Sequence, residues 1–166
     1  MPYSYSLFKE EVKQYLREKL TFTTKILDVG CGNGGYSHLL RAYFPNMDGI
    51  EIHEPYVGMF GLTNLYNKLT IGNILDHDIT GYDLIIMGDV LEHITFPEAR
   101  NLLDKIQSQG IKMLVAVPYL YEQGMEYNNV YETHLQPDLT KEIFLQRYPM
   151  LHLIYGDEHY GYFTNF

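Results

Sequence analysis

Three glycines at alternating positions are the residues of this chain whose spacing most directly indicates ligand chemistry. Gly30, Gly32 and Gly34 follow a short apolar run that contains Asp28. Glycine permits positive φ and lets a ligand approach main-chain N–H groups with no side chain between. Glu51 follows about 20 residues later, the spacing at which a carboxylate hydrogen-bonds a ribose in nucleotide-binding folds. The pattern therefore predicts a loop that binds a nucleoside cofactor.

Asp28 favours one of two cofactor classes. A dinucleotide places its pyrophosphate on the N-terminus of the helix after the loop, and a carboxylate beside that loop would repel it. A nucleoside derived from methionine carries an ammonium and a sulfonium instead, which a carboxylate attracts. Asp28 therefore favours S-adenosylmethionine over NAD. Gly35 also completes the dinucleotide spacing G-x-G-x-x-G, so the glycines alone leave NAD open.

A second motif spans residues 82–93, with the sequence Tyr-Asp-Leu-Ile-Ile-Met-Gly-Asp-Val-Leu-Glu-His. Together with the glycine-rich segment 26–37, it resembles the class I S-adenosylmethionine-dependent methyltransferases. That family has an aromatic or apolar residue and an Asp before its fourth strand, and then a V-L-E-H run that opens the next helix. The resemblance covers residues 25–118 well and the rest of the chain in general layout.

The resemblance implies roles for the loop and for the end of the second strand. The turn from Gly30 through Gly32 to Gly34 would pass under the methionine part of the cofactor, and Asp28 would position its charged end. Glu51 would accept hydrogen bonds from both ribose hydroxyls. The next residue, Ile52, would form an apolar wall against the adenine.

Further residues with implied roles follow the third and fourth strands. Asn73 stands where the family most often has an Asp that accepts from the adenine amino group, and an amide oxygen can do the same; its alternative role is that of a turn residue. Ile74 would offer backbone and an apolar face to the ring. Gly88 and Asp89 are expected to face the cofactor, with helix capping the alternative for Asp89. His93 would contact cofactor or acceptor, or pack beneath the loop.

Residues 118–137 are predicted to form the acceptor-side loop. Methyl transfer is an in-line displacement at a sulfonium carbon, so the protein supplies proximity, desolvation and in some cases a base. His134 is the predicted general base, with a hydrogen-bonded or surface histidine as the alternative. Tyr119 and Tyr121 are predicted to bind the acceptor or to face the sulfonium. The acceptor is predicted to be a small molecule, and the sequence does not identify the methylated atom.

No metal site is predicted. The densest group of metal-ligating residue types is the run Asp76-His77-Asp78, with His53 as a companion. Adjacent residues point in different directions and rarely bind one ion. The single cysteine, Cys31, excludes an internal disulfide and any multi-cysteine zinc site.

Composition and charge restrict the class of protein and its partners. At 166 residues, with 46% hydrophobic and 20% charged, the chain is predicted to fold as one domain over residues 1–166. A net charge of -9 disfavours nucleic acid as a partner. There is no signal-peptide-like segment and no apolar run of membrane-spanning length, so a cytoplasmic protein without membrane attachment is expected.

Alternating apolar runs and helical patterns predict the fold class, an α/β Rossmann-like, doubly wound, mostly parallel seven-stranded sheet with a C-terminal antiparallel hairpin and helices on both faces. A leading helix is predicted within residues 1–20, over Ser6–Leu20. The other predicted helices are Gly35–Tyr43, Pro55–Leu65, Phe96–Ser108 and Thr140–Arg147. The predicted strands are Lys25–Val29, Asp48–Ile52, Leu69–Ile71, Leu84–Met87, Ile111–Val117, Leu151–Tyr155 and Tyr160–Phe166.

Two other functions stay open at the level of sequence. A non-catalytic subunit or regulator could keep the S-adenosylmethionine pocket and need a partner for turnover, because a chain this short has little room for an inserted acceptor domain. A second subunit, from a homodimer or a different chain, would then complete the acceptor pocket. An NAD-dependent oxidoreductase fits Gly35 and Glu51 but is disfavoured by Asp28 together with the V-L-E-H run at residues 90–93.

Overall fold

The computed structural model describes residues 5–166, so the first four residues of the predicted leading segment lie outside the described residues. The chain divides into two compact units, the first ending at Ile86 and the second running from Met87 to Phe166. The strands belong to a seven-stranded sheet, and the strand Leu84–Gly88 contributes residues to both units. The prediction of one domain over residues 1–166 stays a prediction.

The first unit is built from parallel strands that alternate with helices. Its elements are α1 (Lys9–Lys19), β1 (Ile26–Val29), α2 (Gly35–Leu40), β2 (Met47–Glu51), α3 (Pro55–Met59), a 3₁₀ turn (Leu62–Asn64), β3 (Leu69–Ile71), a 3₁₀ turn (Ile74–Asp76) and the start of β4 (Leu84–Gly88). The strand order is β3-β2-β1-β4, and β1 with β2 and β2 with β3 pair in parallel. All residues of β1 and β2 are buried, as expected for parallel strands covered on both faces.

The second unit carries the antiparallel end of the sheet. After the end of β4 come a 3₁₀ turn (Leu91–His93), α4 (Phe96–Ser108), β5 (Lys112–Pro118), a 3₁₀ turn (Val130–Glu132), α5 (Lys141–Arg147), β6 (His152–Gly156) and β7 (Tyr160–Thr164). β7 pairs antiparallel with both β5 and β6, so the strand order is β5-β7-β6. The predicted fold class, a mostly parallel seven-stranded sheet ending in an antiparallel hairpin, is confirmed.

The larger differences between the predicted elements and the structure concern helices. The predicted helix Pro55–Leu65 is interrupted at Gly61, whose φ of 62° is incompatible with a right-handed helix. The helix predicted over Gly35–Tyr43 ends at Leu40. The V-L-E-H run does not open a long helix; it forms a single 3₁₀ turn, and α4 begins separately after Thr95. Within residues 5–166, every helix is too short or too polar to cross a lipid bilayer.

Candidate functional site

The carboxyl ends of three neighbouring strands bring together most of the predicted cofactor residues of the first unit. β1 leads into the glycine loop, β2 ends at Glu51, and β3 is followed by Gly72 and Asn73. The backbone N–H of Gly72 donates to the Glu51 carbonyl at 2.9 Å, continuing the pairing of β2 with β3. Ligands of open α/β sheets bind at this edge, outside the carboxyl ends of the strands.

The glycine loop has the backbone conformation that its sequence predicts. Gly30, Gly32 and Gly34 have φ angles of 64°, 50° and 77°, all in the left-handed region. At Gly34 a side chain would also collide, because a Cβ there would fall against the Leu65 side chain. The loop thus needs glycine for its conformation, and it leads directly into the N-terminus of α2.

Glu51 is tied to this loop through its carboxylate. Its side chain is buried, with 4% of the residue exposed. One carboxylate oxygen accepts the N–H of Gly32 at 3.0 Å, and the other accepts the N–H of His53 at 2.8 Å. The two bonds fix the carboxylate at the carboxyl end of β2. Since an ionised carboxylate has about four lone-pair positions, these bonds are compatible with further hydroxyl donors.

Asp28 lies inside the first unit rather than on its surface. It is only 2% exposed, and its Oδ2 accepts the hydroxyl of Tyr66 at 2.6 Å. Burial raises the pKa of Asp28 to about 7, against the lowering effect of the Tyr66 hydrogen bond and of the Lys9 ammonium. The carboxyl therefore titrates near neutral pH, and a cation bound beside it would favour its ionised form.

The absence of a side chain at Gly49 allows Tyr66 to reach Asp28. Gly49 is the register partner of Asp28 on β2. A Cβ on Gly49 would lie 2.7 Å from the Cys31 sulfur and 2.9 Å from Cγ of Tyr66, so the ring packs directly over glycine backbone. Burial raises the pKa of the Cys31 thiol, which is consistent with a packing role for this residue.

The residues predicted to surround the adenine follow β2 and β3. Asn73 caps the 3₁₀ turn Ile74–Asp76, since its side-chain oxygen accepts the N–H of Leu75 at 3.0 Å. This is the turn role that the sequence left as the alternative, and an amide oxygen with two lone pairs can accept a second donor. Ile74 is 5% exposed, and Ile52 is partly exposed.

Gly88 and Asp89 belong to the second unit and end β4. Asp89 has a φ of 56°, which is unusual for a residue other than glycine. Its N–H donates to the carbonyl of Ala116 on β5 at 2.9 Å, and its Oδ1 accepts the hydroxyl of Tyr160 at 2.8 Å. The 3₁₀ turn Leu91–His93 that follows has Val90 at its N-cap and no side-chain cap hydrogen bond, so the alternative capping role of Asp89 is not seen there; Asp89 instead holds a strained turn at the end of the strand.

The buried Glu92 and the partly buried His93 come just after that turn. Glu92 is 1% exposed, and burial, followed by the nearby charge of Asp89, raises the pKa of Glu92 well above its ordinary value. Burial lowers the pKa of His93 to about 4, with His134 as the second cause. The sequence motif contains Glu92, yet sequence reasoning gave it no role because nothing local to V-L-E-H predicts that the carboxyl is buried.

His134, the predicted general base, contacts this pair. Its ring lies 4.7 Å from the His93 ring, centroid to centroid, in an edge-to-face arrangement. Its Nδ1 lies 2.7 Å from the carbonyl oxygen of Tyr121, whose own ring is 5.4 Å from the imidazole. Burial lowers the pKa of His134, so the imidazole is neutral at pH 7.

Tyr119 and Tyr121, the predicted acceptor contacts, occupy different environments. Tyr121 is 42% exposed beside His134. Tyr119 is 9% exposed, and its hydroxyl packs against the backbone of Gly161, where any Cβ would collide with it. The structure therefore brings Tyr121, but not the Tyr119 hydroxyl, to the surroundings of His134. The segment 118–137 contains no α-helix and only one 3₁₀ turn, as predicted for a loop.

Gln136 is a structural residue of this region that sequence reasoning missed. It is 3% exposed, and its amide nitrogen donates to the carbonyls of Leu91 at 2.8 Å and Ile94 at 3.0 Å. Its amide oxygen accepts from the Tyr148 hydroxyl at 3.0 Å and from Arg147 at 3.1 Å. The side chain thereby fastens the loop that carries His134 to the turn that carries Glu92. No local sequence signal marks a glutamine for this role.

Known proteins give two kinds of match. A family model described as a methyltransferase domain matches residues 5–149. No curated protein matches the sequence. An S-adenosylmethionine-dependent methyltransferase from Clostridium acetobutylicum ATCC 824 has a similar structure, with a TM-score of 0.69 and 12% identity, covering 95% of this chain and 89% of that one.

Two sugar-modifying enzymes are also structurally similar. CalS10, an amino pentose methyltransferase from Micromonospora echinaspora solved with S-adenosylmethionine, has a TM-score of 0.65 and 12% identity over 95% of this chain and 90% of its own. The sugar N-methyltransferase KedS8 from Streptoalloteichus sp ATCC 53650 has a TM-score of 0.66 and 12% identity. The match covers 94% of this chain and 85% of that one. At such identities the likeness shows a shared fold. With the family match over most of its length, the chain belongs to the methyltransferase domain family, as a class I S-adenosylmethionine-dependent methyltransferase.

Proposed function

We propose that this protein binds S-adenosylmethionine at the carboxyl ends of β1, β2 and β3 and transfers its methyl group to a small-molecule acceptor. The observation that carries the proposal is the hydrogen bond from the Gly32 N–H to the buried Glu51 carboxylate. This contact joins a glycine loop, free of side chains, to an acceptor group suited to a ribose. Both parts are required for a nucleoside site, and they belong to adjacent parallel strands.

The ribose end of the proposed site rests on Glu51. Its carboxylate is already oriented by two backbone N–H groups before any ligand binds. Preorganisation of this kind lowers the entropic cost of binding. Two ribose hydroxyls would donate to the same carboxylate, and each would form a charge-assisted hydrogen bond.

The methionine end of the proposed site rests on the glycine loop and Asp28. The ammonium and sulfonium of the cofactor are cationic, and Asp28 places a buried carboxyl at the start of the loop. The pKa of Asp28 is about 7, so part of the population is protonated at neutral pH. Cofactor binding is then expected to release a fraction of a proton, because a bound cation lowers that pKa.

For the adenine end, Ile52, Asn73 and Ile74 are proposed contacts. The apolar Ile52 and Ile74 side chains suit the faces of a purine, and the Asn73 amide oxygen suits its amino group. Gly88 and Asp89 stay predicted contacts of the cofactor.

The proposed chemistry is an in-line displacement. A lone pair of the acceptor forms a bond to the methyl carbon while the carbon–sulfur bond breaks, which gives S-adenosylhomocysteine and leaves the acceptor to lose a proton. The general-base role of His134 stays a prediction, as do the acceptor contacts of Tyr119 and Tyr121. A small acceptor is supported by the structural neighbours named for an amino pentose and a sugar, and by the net charge of -9, which disfavours nucleic acid.

The test is a calorimetric titration of the protein with S-adenosylhomocysteine, with NAD titrated in parallel. Saturable one-site binding of S-adenosylhomocysteine alone is expected, and repeating it in buffers of different ionisation enthalpy measures the released proton. Binding of NAD alone would overturn the proposed cofactor site. Binding without methyl transfer to any small acceptor, with turnover appearing only when a partner protein is added, would instead support the non-catalytic subunit.

A further inference from the structure

Glu92, His93 and His134 form a compact cluster of metal-ligating side chains in the second unit. One potential ligand atom from each residue lies within 4.8 Å of those from the other two. Two imidazoles and one carboxylate are the donor set of facial metal sites, which leave further coordination positions open. We propose that these three side chains bind one divalent transition-metal ion that accepts nitrogen and oxygen ligands. The proposal departs from the sequence-based prediction of no metal site.

The first argument is the environment of the Glu92 carboxyl. The residue is 1% exposed, and among the described residues neither of its oxygens has a hydrogen-bond partner on another residue. Buried carboxyl oxygens are almost always hydrogen-bonded or bound to a cation, because desolvation without a partner is costly. A cation held between Glu92 and the histidines would supply the missing interaction for both oxygens.

The second argument is the orientation of the two imidazoles. Nδ1 of His93 lies 3.2 Å from the carbonyl oxygen of Thr133, and Nδ1 of His134 lies 2.7 Å from that of Tyr121. A carbonyl oxygen only accepts, so each Nδ1 carries the proton and donates. In a neutral ring Nε2 is then left with its lone pair. Metal-binding histidines are usually fixed in this way, with the remote nitrogen donating to a carbonyl or carboxylate.

The third argument is that the backbone builds the cluster in advance. The carbonyl of Glu92 accepts the N–H groups of Leu135 at 2.7 Å and Gln136 at 3.1 Å. These bonds join the turn with Glu92 and His93 directly to the residues that follow His134. His93 and His134 are 41 positions apart in the chain, and these hydrogen bonds hold them close together in the fold. The site therefore does not have to assemble when an ion binds.

The cluster also has a route to solvent and a second carboxylate nearby. An open cleft of about 460 Å³ is lined by Glu122, Gln123, Gly124, His134 and Pro137, so it reaches one ligand of the proposed site. Glu132, buried in the same loop, accepts hydrogen bonds from Gln123 at 3.2 Å and from Asn129 at 3.4 Å. An ion can therefore enter through the cleft, and the local negative charge favours a cation.

Metal binding and general-base catalysis by His134 exclude each other, since both use the one free lone pair of its imidazole. The two roles are separated by an experiment on metal binding alone. Such a measurement does not depend on the proposed methyl transfer, so a failure of one proposal leaves the other intact.

The experiment uses the tag-free full chain after dialysis against EDTA. Co²⁺ is added stepwise while its visible absorption is recorded, and Zn²⁺ is added afterwards as a competitor. One equivalent of Co²⁺ is expected to bind with a saturable d–d spectrum that Zn²⁺ removes. Glu92→Gln and His134→Ala are each expected to weaken binding at least tenfold. His159→Ala and His152→Ala, at exposed histidines, are the matched controls and should bind as the wild type does.

The proposal is overturned if the wild type takes up no stoichiometric Co²⁺, or if His134→Ala binds it with unchanged affinity. Circular dichroism checks that each variant is folded. Glu92 is buried and its variant could unfold, whereas His134 borders the cleft, so the His134 variant and the wild-type titration decide the question by themselves.

Discussion

The Tyr66 hydroxyl donates a 2.6 Å hydrogen bond to the buried carboxyl of Asp28, a residue 38 positions earlier in the chain. Gly49 makes the contact possible, because the Tyr66 ring lies against its bare backbone. Burial raises the pKa of Tyr66, which keeps the hydroxyl protonated and able to donate. A carboxyl predicted to face a cationic cofactor is therefore held by a neutral donor from inside the unit.

Removal of this donor should make cofactor binding depend more steeply on pH. In Tyr66→Phe the pKa of Asp28 rises above about 7, since the lost hydrogen bond is what lowers it. We expect S-adenosylhomocysteine affinity at pH 7 to fall about tenfold, roughly 1.4 kcal/mol, and to recover above pH 8 as Asp28 ionises. Calorimetric titrations of the wild type and of Tyr66→Phe from pH 6 to 9 measure the affinity for S-adenosylhomocysteine at each pH.

A second buried pair of the same kind provides the control for Tyr66. The hydroxyl of Tyr82 donates to Asp48 at 3.0 Å, also within the first unit. Tyr82→Phe should alter stability without a comparable pH-dependent loss of affinity. An affinity loss of the same size at every pH in Tyr66→Phe would show that Asp28 ionisation is not involved.

Asp28 should also make the folded state less stable as the pH rises. Its pKa is raised from 3.8 to about 7 in the fold, so the folded protein holds a proton that the unfolded chain has lost. The stabilising effect is complete below pH 3.8 and disappears as the pH passes 7. Between pH 5 and 8 the free energy of unfolding is therefore expected to fall by roughly 2–3 kcal/mol.

Urea unfolding of the wild type and Asp28→Asn at pH 5, 6.5 and 8 tests this dependence. The Asn variant should lose less free energy of unfolding over that interval, whatever its absolute stability. The exposed Asp104→Asn is the control and should follow the wild type. Parallel pH profiles for all three proteins would exclude Asp28 as the titrating group.

The strands and the loop were predictable because their signals are local. β3 over Leu69–Ile71 and α4 over Phe96–Ser108 match their predicted bounds, since turn residues or Pro97 mark their ends. The alternation of strands and helices predicts parallel pairing. Gly30, Gly32 and Gly34 have positive φ, which a residue without Cβ adopts at no steric cost, so glycines in this spacing are a local signal for the strand-to-helix turn.

The interactions that were not predictable join residues far apart in sequence. Tyr66 with Asp28, and Gln136 with Leu91, are separated by 38 and 45 positions, and no local pattern marks either partner. The cluster of Glu92 with His134 is of the same kind. Sequence spacing indicates residues on one helix or one strand end, whereas the burial of Glu92 depends on how a distant loop folds over it.

Neutralising the Glu51 carboxylate should weaken cofactor binding while the fold is retained. In Glu51→Gln an amide nitrogen replaces one carboxylate oxygen. The amide oxygen can still accept from one backbone N–H, so the hydrogen bond from either Gly32 or His53 is lost. The charge-assisted bonds to ribose hydroxyls would also be lost. We expect the binding free energy to weaken by roughly 1.5–3 kcal/mol, which is about 10- to 150-fold in affinity.

Calorimetric titration with S-adenosylhomocysteine measures the effect, and Glu54→Gln, an exposed acid three residues later, is the control. Adenine alone should bind equally weakly to both variants and to the wild type, since it has no ribose. Unchanged affinity in Glu51→Gln would remove the ribose assignment.

A methyl group on the glycine loop should impair both folding and binding. Gly34 has a φ of 77°, and a Cβ would press against Leu65. Gly34→Ala is therefore expected to lower the free energy of unfolding by about 1–3 kcal/mol and to reduce S-adenosylhomocysteine affinity at least tenfold. Gly58→Ala is the matched control. Gly58 lies within α3, and a Cβ there would meet nothing within 4 Å. Equal behaviour of the two alanine variants would contradict a strained loop.

Gln136 should contribute more to stability than any exposed glutamine. Gln136→Ala leaves the carbonyls of Leu91 and Ile94 without their side-chain donor, and buried carbonyls that lose a partner are costly. We expect the free energy of unfolding to fall by roughly 2–3 kcal/mol, compared with about 0.5 kcal/mol or less for Gln14→Ala on the exposed face of α1. Urea unfolding followed by circular dichroism measures both. If the Gln136 variant were as stable as the Gln14 variant, the loop that carries His134 would be held by its backbone bonds to Glu92 alone.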